Sequence, residues 1–127
     1  MDELEAIAAG ARFELRRLDE RERILSAVLK GIDLFDDVAA AVRASESQAE
    51  VRQSLMTLLD LDQVQAAAVA DMQVRMLSAE WRRQLAQEHE RVAAEMADAE
   101  AIVESPERQR ELAGTERGNE LAARANR

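Results

Sequence analysis

From Asp2 to about Lys30 the apolar side chains recur at Leu4, Ile7, Ala11, Leu18, Leu25, Val28 and Ile32, a seven-residue a/d seam in which Glu14 and Arg21 occupy d positions. The pattern predicts one long helix with a coiled-coil-like face, ended or bent at Gly31. A second helix is expected over about Asp33–Ala44, with Leu34, Val38, Ala41 and Val42 on one side. Ser47 and Glu50 have the spacing of a capping box and open a third, which buries Val51, Leu55 and Leu58 and ends near Leu59. Asp62 and Gln65 open a fourth by the same logic, with Val64, Ala68, Met72 and Met76 in one stripe. Ser78 caps a fifth helix that reaches Glu104 with Trp81, Leu85, Val92, Met96, Ala99 and Ile102 or Val103 on its inner face. Ser105-Pro106 closes that helix and starts another, since proline suits the first helical position. The tail beyond Glu107 carries Gly114 and Gly118 and is expected to be a weaker helix.

These elements assemble into an all-α single domain, residues 1–127. It divides into a stalk helix (1–31), lobe helices (32–77), a long helix (78–104) and a weak returning tail (105–127). The expected architecture is a small helical lobe on a truncated, antiparallel two-helix coiled-coil stalk. A compact bundle is the alternative, and periodicity does not separate the two.

Composition narrows the chemistry. The chain contains no Cys, no Tyr and a single His (His89), which removes disulfides, thiolate zinc sites, cysteine and tyrosine nucleophiles, and paired-histidine metal sites. The net charge is −9, and Lys30 is the only lysine. That balance opposes phosphate binding, because counterion release requires a basic surface, so direct DNA binding by the isolated chain is not expected. No stretch is apolar for long enough to span a bilayer. The acidic start MDELEAIAAG lacks the order of a signal peptide, and a cytoplasmic location is expected. No metal, cofactor or small-molecule substrate is expected.

The order of several short strings carries a resemblance. They are Arg12-Phe13-Glu14-Leu15, Arg21-x-Arg23-Ile24-Leu25, Ile32-Asp33, Asp36-Asp37-Val38 and Val42-Arg43-Ala44-Ser45, followed by Leu55-Met56, Leu61, Gln65-Ala66, Asp71-Met72, Leu77-Ser78, Glu88 and Ser105-Pro106-Glu107-Arg108. Together they resemble the stalk and exit-gate region of the A subunits of bacterial type IIA topoisomerases, gyrase and topoisomerase IV, over about residues 11–112. Arg23 departs from a usual His, His89 from a frequent Tyr, and Glu80-Trp81 from a Leu-Glu pair. The resemblance implies a helical lobe that makes a dimer contact and has no chemistry of its own. The family's nucleophile is a tyrosine, and a chain without Tyr is not expected to cleave DNA by that route.

The residues expected at such a contact are Leu61, Val64, Ala68, Met72, Met76 and Trp81. Methionine and small apolar side chains suit a separable interface, and Trp suits an anchor; a place in the internal core is the competing reading for each. His89, between Glu88 and Glu90, reads as plain surface rather than as a catalytic or pH-sensing group. The arginines Arg12, Arg16, Arg17, Arg21 and Arg23 alternate with Glu14, Asp19, Glu20 and Glu22, which favours pairing within the helix over an external acidic partner. Asp33, Asp36 and Asp37 read as a solvated acidic face rather than a magnesium site.

The function expected is therefore a non-catalytic dimerisation module. It would form a homodimer or contact the A subunit of a gyrase or topoisomerase IV. Two other classes remain. An enzyme of the chorismate mutase type would bind a dicarboxylate with Lys30 and Arg12 or Arg16. A folded remnant without a selected role is the third, against which the clean heptads and capping boxes argue.

Overall fold

The computed structural model describes residues 1–125. It is all-α: α1 (Glu3–Asp33), α2 (Phe35–Ala44), α3 (Gln48–Leu59), α4 (Gln63–Ala70), a 3-10 turn (Val74–Leu77), α5 (Ala79–Glu104), α6 (Pro106–Leu112) and α7 (Glu116–Arg124). The chain forms two compact units, one of residues 1–21 with those from 91 onward, the other Glu22–Glu90.

In the Glu22–Glu90 unit, α3 and α4 pack against α2 and the second half of α1 around Ala27, Val38, Leu55, Leu59, Ala66 and Val69. The helix starts are set locally. Ser47 accepts from the Glu50 N–H at 3.1 Å, and Ser78 accepts from the Trp81 N–H at 3.1 Å. Asp62 and Gln65 form a complete capping box, with reciprocal bonds of 2.8 and 3.0 Å. At Ser47 the box is displaced by one residue, because the Glu50 carboxylate accepts from the N–H of Glu46 instead of Ser47.

Helix α3 ends in a left-handed residue, Asp60 (φ 55°), and the Leu61 N–H returns to the Met56 carbonyl, the six-to-one bond of a Schellman motif. The Lys30 ammonium covers the freed Leu59 carbonyl. Aspartate tolerates this conformation less well than glycine does, so Asp60→Gly is expected to stabilise the unit by about 0.5–1 kcal/mol. A rise in the urea midpoint at unchanged slope would show it; a fall would mean that the Asp60 side chain is needed where it stands.

The structure corrects several expectations here. Gly31 does not end α1, which continues to Asp33. A Cβ at this buried position would stand 2.9 Å from Cγ1 of Val69, so the glycine admits α4 close to α1. Leu58 is 45% exposed, and the side chain turned into the core is Leu59. Leu34 and Val42, expected beside Val38, also face solvent. The predicted stripe Val64–Ala68–Met72–Met76 is not one helix face: α4 stops at Ala70, and Met76 lies in the 3-10 turn.

The other unit closes on Ile7, Ala11, Ile102 and Leu121, with Val103, Leu112, Ala113 and Ala122 packed against them. Ser105 accepts from the Arg108 N–H at 3.2 Å with Pro106 at the first position of α6. The tail, expected to be one weak returning helix, is two short ones. Gly114, at φ 82°, divides α6 from α7, and Thr115 caps α7 by accepting from the Gly118 N–H at 3.0 Å. Buried Gln109 donates to the Ile102 carbonyl at 2.9 Å, and Arg117 and Arg124 both reach Glu14, at 2.8 and 3.3 Å. Glu14 thus binds α7, and Arg23 bonds Asp62, the cap of α4, at 2.5 Å.

Candidate functional site

Two features of the Glu22–Glu90 unit stand out: a polar cluster between α1 and α5, and a set of exposed and half-buried apolar side chains on α4 and in the 3-10 turn.

The polar cluster corrects the reading of His89. Its side chain is only 31% exposed, and Nε2 lies 3.0 Å from both Glu22 Oε1 and Ser26 Oγ. Ser26 donates to the same carboxylate oxygen at 2.7 Å. These are the residue types of a serine–histidine–acid triad, but the roles do not align. The serine proton goes to the carboxylate, and one imidazole nitrogen meets both partners, whereas a triad requires the acid on Nδ1 and the serine on Nε2. The arrangement is a clamp between α1 and α5. The Ser26 hydroxyl, and after it His89, hold the Glu22 carboxyl below its ordinary value against partial desolvation.

Two further carboxylates are lowered in the same unit. Asp33 takes a bidentate pair of bonds from Arg82, both 2.9 Å, so α1 and α5 run antiparallel between the Asp33–Arg82 and Glu22–His89 contacts. Asp62 is lowered by the Gln65 N–H first and Arg23 second. A depressed carboxylate contributes stability that is complete above its unfolded value, here 4.5 for Glu22 and 3.8 for the two aspartates, and is lost as pH falls through the folded value. The Glu22–Glu90 unit should therefore lose stability on acidification below about pH 4.5. Glu22→Gln should flatten the upper part of that fall. Urea midpoints taken at several acidic pH values in both proteins measure it, and parallel curves would remove Glu22 from the account.

The apolar surface collects the residues expected at an interface unequally. Val64 is 65% exposed, and Ala68, one turn later on the same face of α4, is half-buried. Leu61 is half-buried and packs against the core beside Val51 and Met56. Met72 follows the end of α4, its N–H bonded to the Val69 carbonyl at 3.1 Å, and Met76 and Trp81 are half-buried. The guanidinium of Arg75 lies over the Trp81 ring at 5.5 Å. Val74, in the turn, is 78% exposed, more than any of the six expected residues. Periodicity did not single it out because the turn breaks the helical repeat before reaching it. Of the acidic residues at the α1–α2 junction, Asp33 is engaged by Arg82. No helix among the described residues is long and apolar enough to cross a membrane.

Comparisons with known proteins address the same stretch. The family model for the A subunit of DNA gyrase/topoisomerase IV matches residues 2–116. The DNA gyrase A subunit of Mycolicibacterium smegmatis is 41% identical over 108 residues, 85% of this chain and 13% of that protein. Its counterpart in Mycobacterium tuberculosis shows the same identity and coverage, and that of Streptomyces coelicolor is 38% identical over 114 residues, 90% of this chain and 13% of its own length. The chain thus spans only about an eighth of these relatives, a small part of the whole polypeptide. With 115 consecutive positions matched by the family model and two-fifths identity across most of its length, the chain belongs to the family of DNA gyrase/topoisomerase IV A subunits.

Proposed function

We propose that this chain is a non-catalytic association module of the A-subunit type, which pairs with a second copy through the surface formed by α4 and the turn that follows it. The observation that carries the reading is the exposure of Val64 and Val74, at 65% and 78%, on one small unit. Apolar area left in water is a source of free energy for association, and the same stretch of chain, residues 64–81, also holds half-buried Ala68, Met72, Met76 and Trp81. The absence of tyrosine from the sequence supports a non-catalytic role, and the net charge of −9 favours a protein partner over DNA. The same surface, presented to the A subunit of a gyrase or topoisomerase IV, would let the chain modulate that enzyme. A cytoplasmic setting goes with this reading. The comparisons give a mutase function no support, and Lys30, which that function would need, is turned onto the Leu59 carbonyl.

Sedimentation over a wide range of concentration tests the pairing. The chain should pass from monomer to dimer, and Val64→Arg, which would bring an unpaired charge into the contact, should hold it monomeric. A wild-type chain that stays monomeric throughout would end the proposal. Co-purification with a full-length gyrase A protein, together with a supercoiling assay, tests the extension to the enzyme.

A further inference from the structure

The first half of α1 carries cations that its own helix does not neutralise. Arg12, Arg16 and Arg17 are exposed, and among the described residues none of the three forms an ion pair, although their alternation with acids predicts pairing within the helix. Glu14, which stands between them in sequence, is taken by Arg117 and Arg124 of α7, and Glu22 by Ser26 and His89. Two of the arginines meet an aromatic ring instead. The guanidinium carbons of Arg16 and Arg17 each stand 6.0 Å from the centroid of half-buried Phe13. At about 3.6 residues per turn, Arg12, Arg16, Phe13 and Arg17 follow one another around the same side of α1. Exposed Glu20 lies one turn beyond Arg16. The result is a positive, partly aromatic surface on a chain whose net charge is −9.

We propose that Arg12, Phe13, Arg16 and Arg17 form a docking surface for an acidic helical segment of a protein partner. The surface belongs to the unit of residues 1–21 and 91 onward, so it is separate from α4 and stands whether or not two copies pair. Residues one turn apart on a helix are about 5–6 Å from each other, so arginines at this spacing match carboxylates that recur every fourth residue on a partner helix. A guanidinium lying over a ring is held flat and keeps its N–H edge free, the form that takes a carboxylate through two parallel bonds. Because Phe13 already orients Arg16 and Arg17, less side-chain freedom is lost when the partner arrives. The uncovered part of the Phe13 ring offers an apolar contact between the charges. Charge also decides between acidic partners. A DNA duplex carries one negative charge per about 1.7 Å and opposes the net charge of −9 along its whole length, whereas an acidic helix brings its few carboxylates to this patch alone.

Fluorescence anisotropy on the full-length chain at low ionic strength tests this with three probes. They are an amphipathic helical peptide with Glu at every fourth position beside Leu, the same peptide with Gln for Glu, and a DNA duplex. The Glu peptide should bind, more tightly than the Gln peptide or the duplex, and its affinity should fall as salt is added. Arg16→Glu combined with Arg17→Glu should raise its dissociation constant by about tenfold or more. Arg43→Glu, the same change of charge at an exposed arginine of α2, should leave binding unaltered, which separates the patch from net charge. Circular dichroism checks that the double variant keeps its helices. Arg16→Gln with Arg17→Gln, which removes the charges with good helix formers, repeats the test if reversal disturbs the fold. A Glu peptide that does not bind, or that binds equally well to the double variant, overturns the proposal. So does an equal loss in Arg43→Glu. Binding of the duplex in preference to the peptide, lost in the double variant, would give the patch to nucleic acid instead.

Discussion

Gly10→Ala is expected to cost the unit built on residues 1–21 and the C-terminal helices at least about 3 kcal/mol, one of the two largest effects expected of a single substitution in this chain. A Cβ at position 10 would stand 1.8 Å from the Leu121 carbonyl oxygen, 2.4 Å from its carbon and 2.9 Å from its Cα. All three are backbone atoms, so no side-chain rotation relieves the overlap, and α1 and α7 must move apart. Leu121 and Ile7 are both 0% exposed, and that movement uncovers them along with Ala11 and Ile102. A fully buried Leu or Ile is worth about 1.5–3 kcal/mol, so partial exposure of two, added to the steric cost, reaches the stated size. Gly114→Ala is the internal comparison. Nothing lies within 4 Å of its Cβ, and its penalty comes only from φ 82°, about 1 kcal/mol. Urea unfolding of both variants, with hydrogen exchange at α7 amides as the local readout, measures the contrast. Equal stability of the two would mean that α7 is not held at Gly10 as described.

The contrast between those glycines also marks what is legible in a sequence. Helix boundaries set by neighbouring residues were legible: Ser78 to Glu104, Ser105-Pro106, and the Asp62–Gln65 box all stand where their spacing puts them. The family was legible for a similar reason, as the ordered short strings spread along the helices. Contacts across the sequence were not. Gly10 and Gly31 look like weak points in a helix, and only the approach of Leu121 and Val69 shows that each is a place where a side chain would not fit. His89 looked like surface because its partners, Glu22 and Ser26, are more than sixty positions away. The residues expected at an interface divide on the same ground. Val64 is where helical spacing puts it, whereas Met72, Met76 and Val74 depend on α4 ending at Ala70, and the run from Ala66 to Ala70 has no residue that signals a stop.

Leu55→Ala should cost about 3–4 kcal/mol in the Glu22–Glu90 unit and weaken self-association as well. Leu55 is 0% exposed in the cluster with Leu59, Ala66 and Val69, so it is part of the core that joins α3 to α4. Its truncation leaves a cavity beside Ala66, which is too small to collapse into the space. Leu55→Met, which keeps the volume, should cost less than about 1.5 kcal/mol. The link to function is α4 itself. Ala66 and Val69 hold its inner side, and Val64, Ala67 and Asp71 stand on the outer one, so any loosening of the core is passed to the surface that would receive a second copy. The helix is only eight residues long, too short to persist on its own propensity without that packing. Sedimentation of Leu55→Ala under conditions where circular dichroism still reports a folded chain should show a raised dissociation constant, and Leu55→Met should restore it. A Leu55→Ala chain that loses stability but pairs as tightly as the wild type would place the contact away from α4, on a surface that core packing does not support.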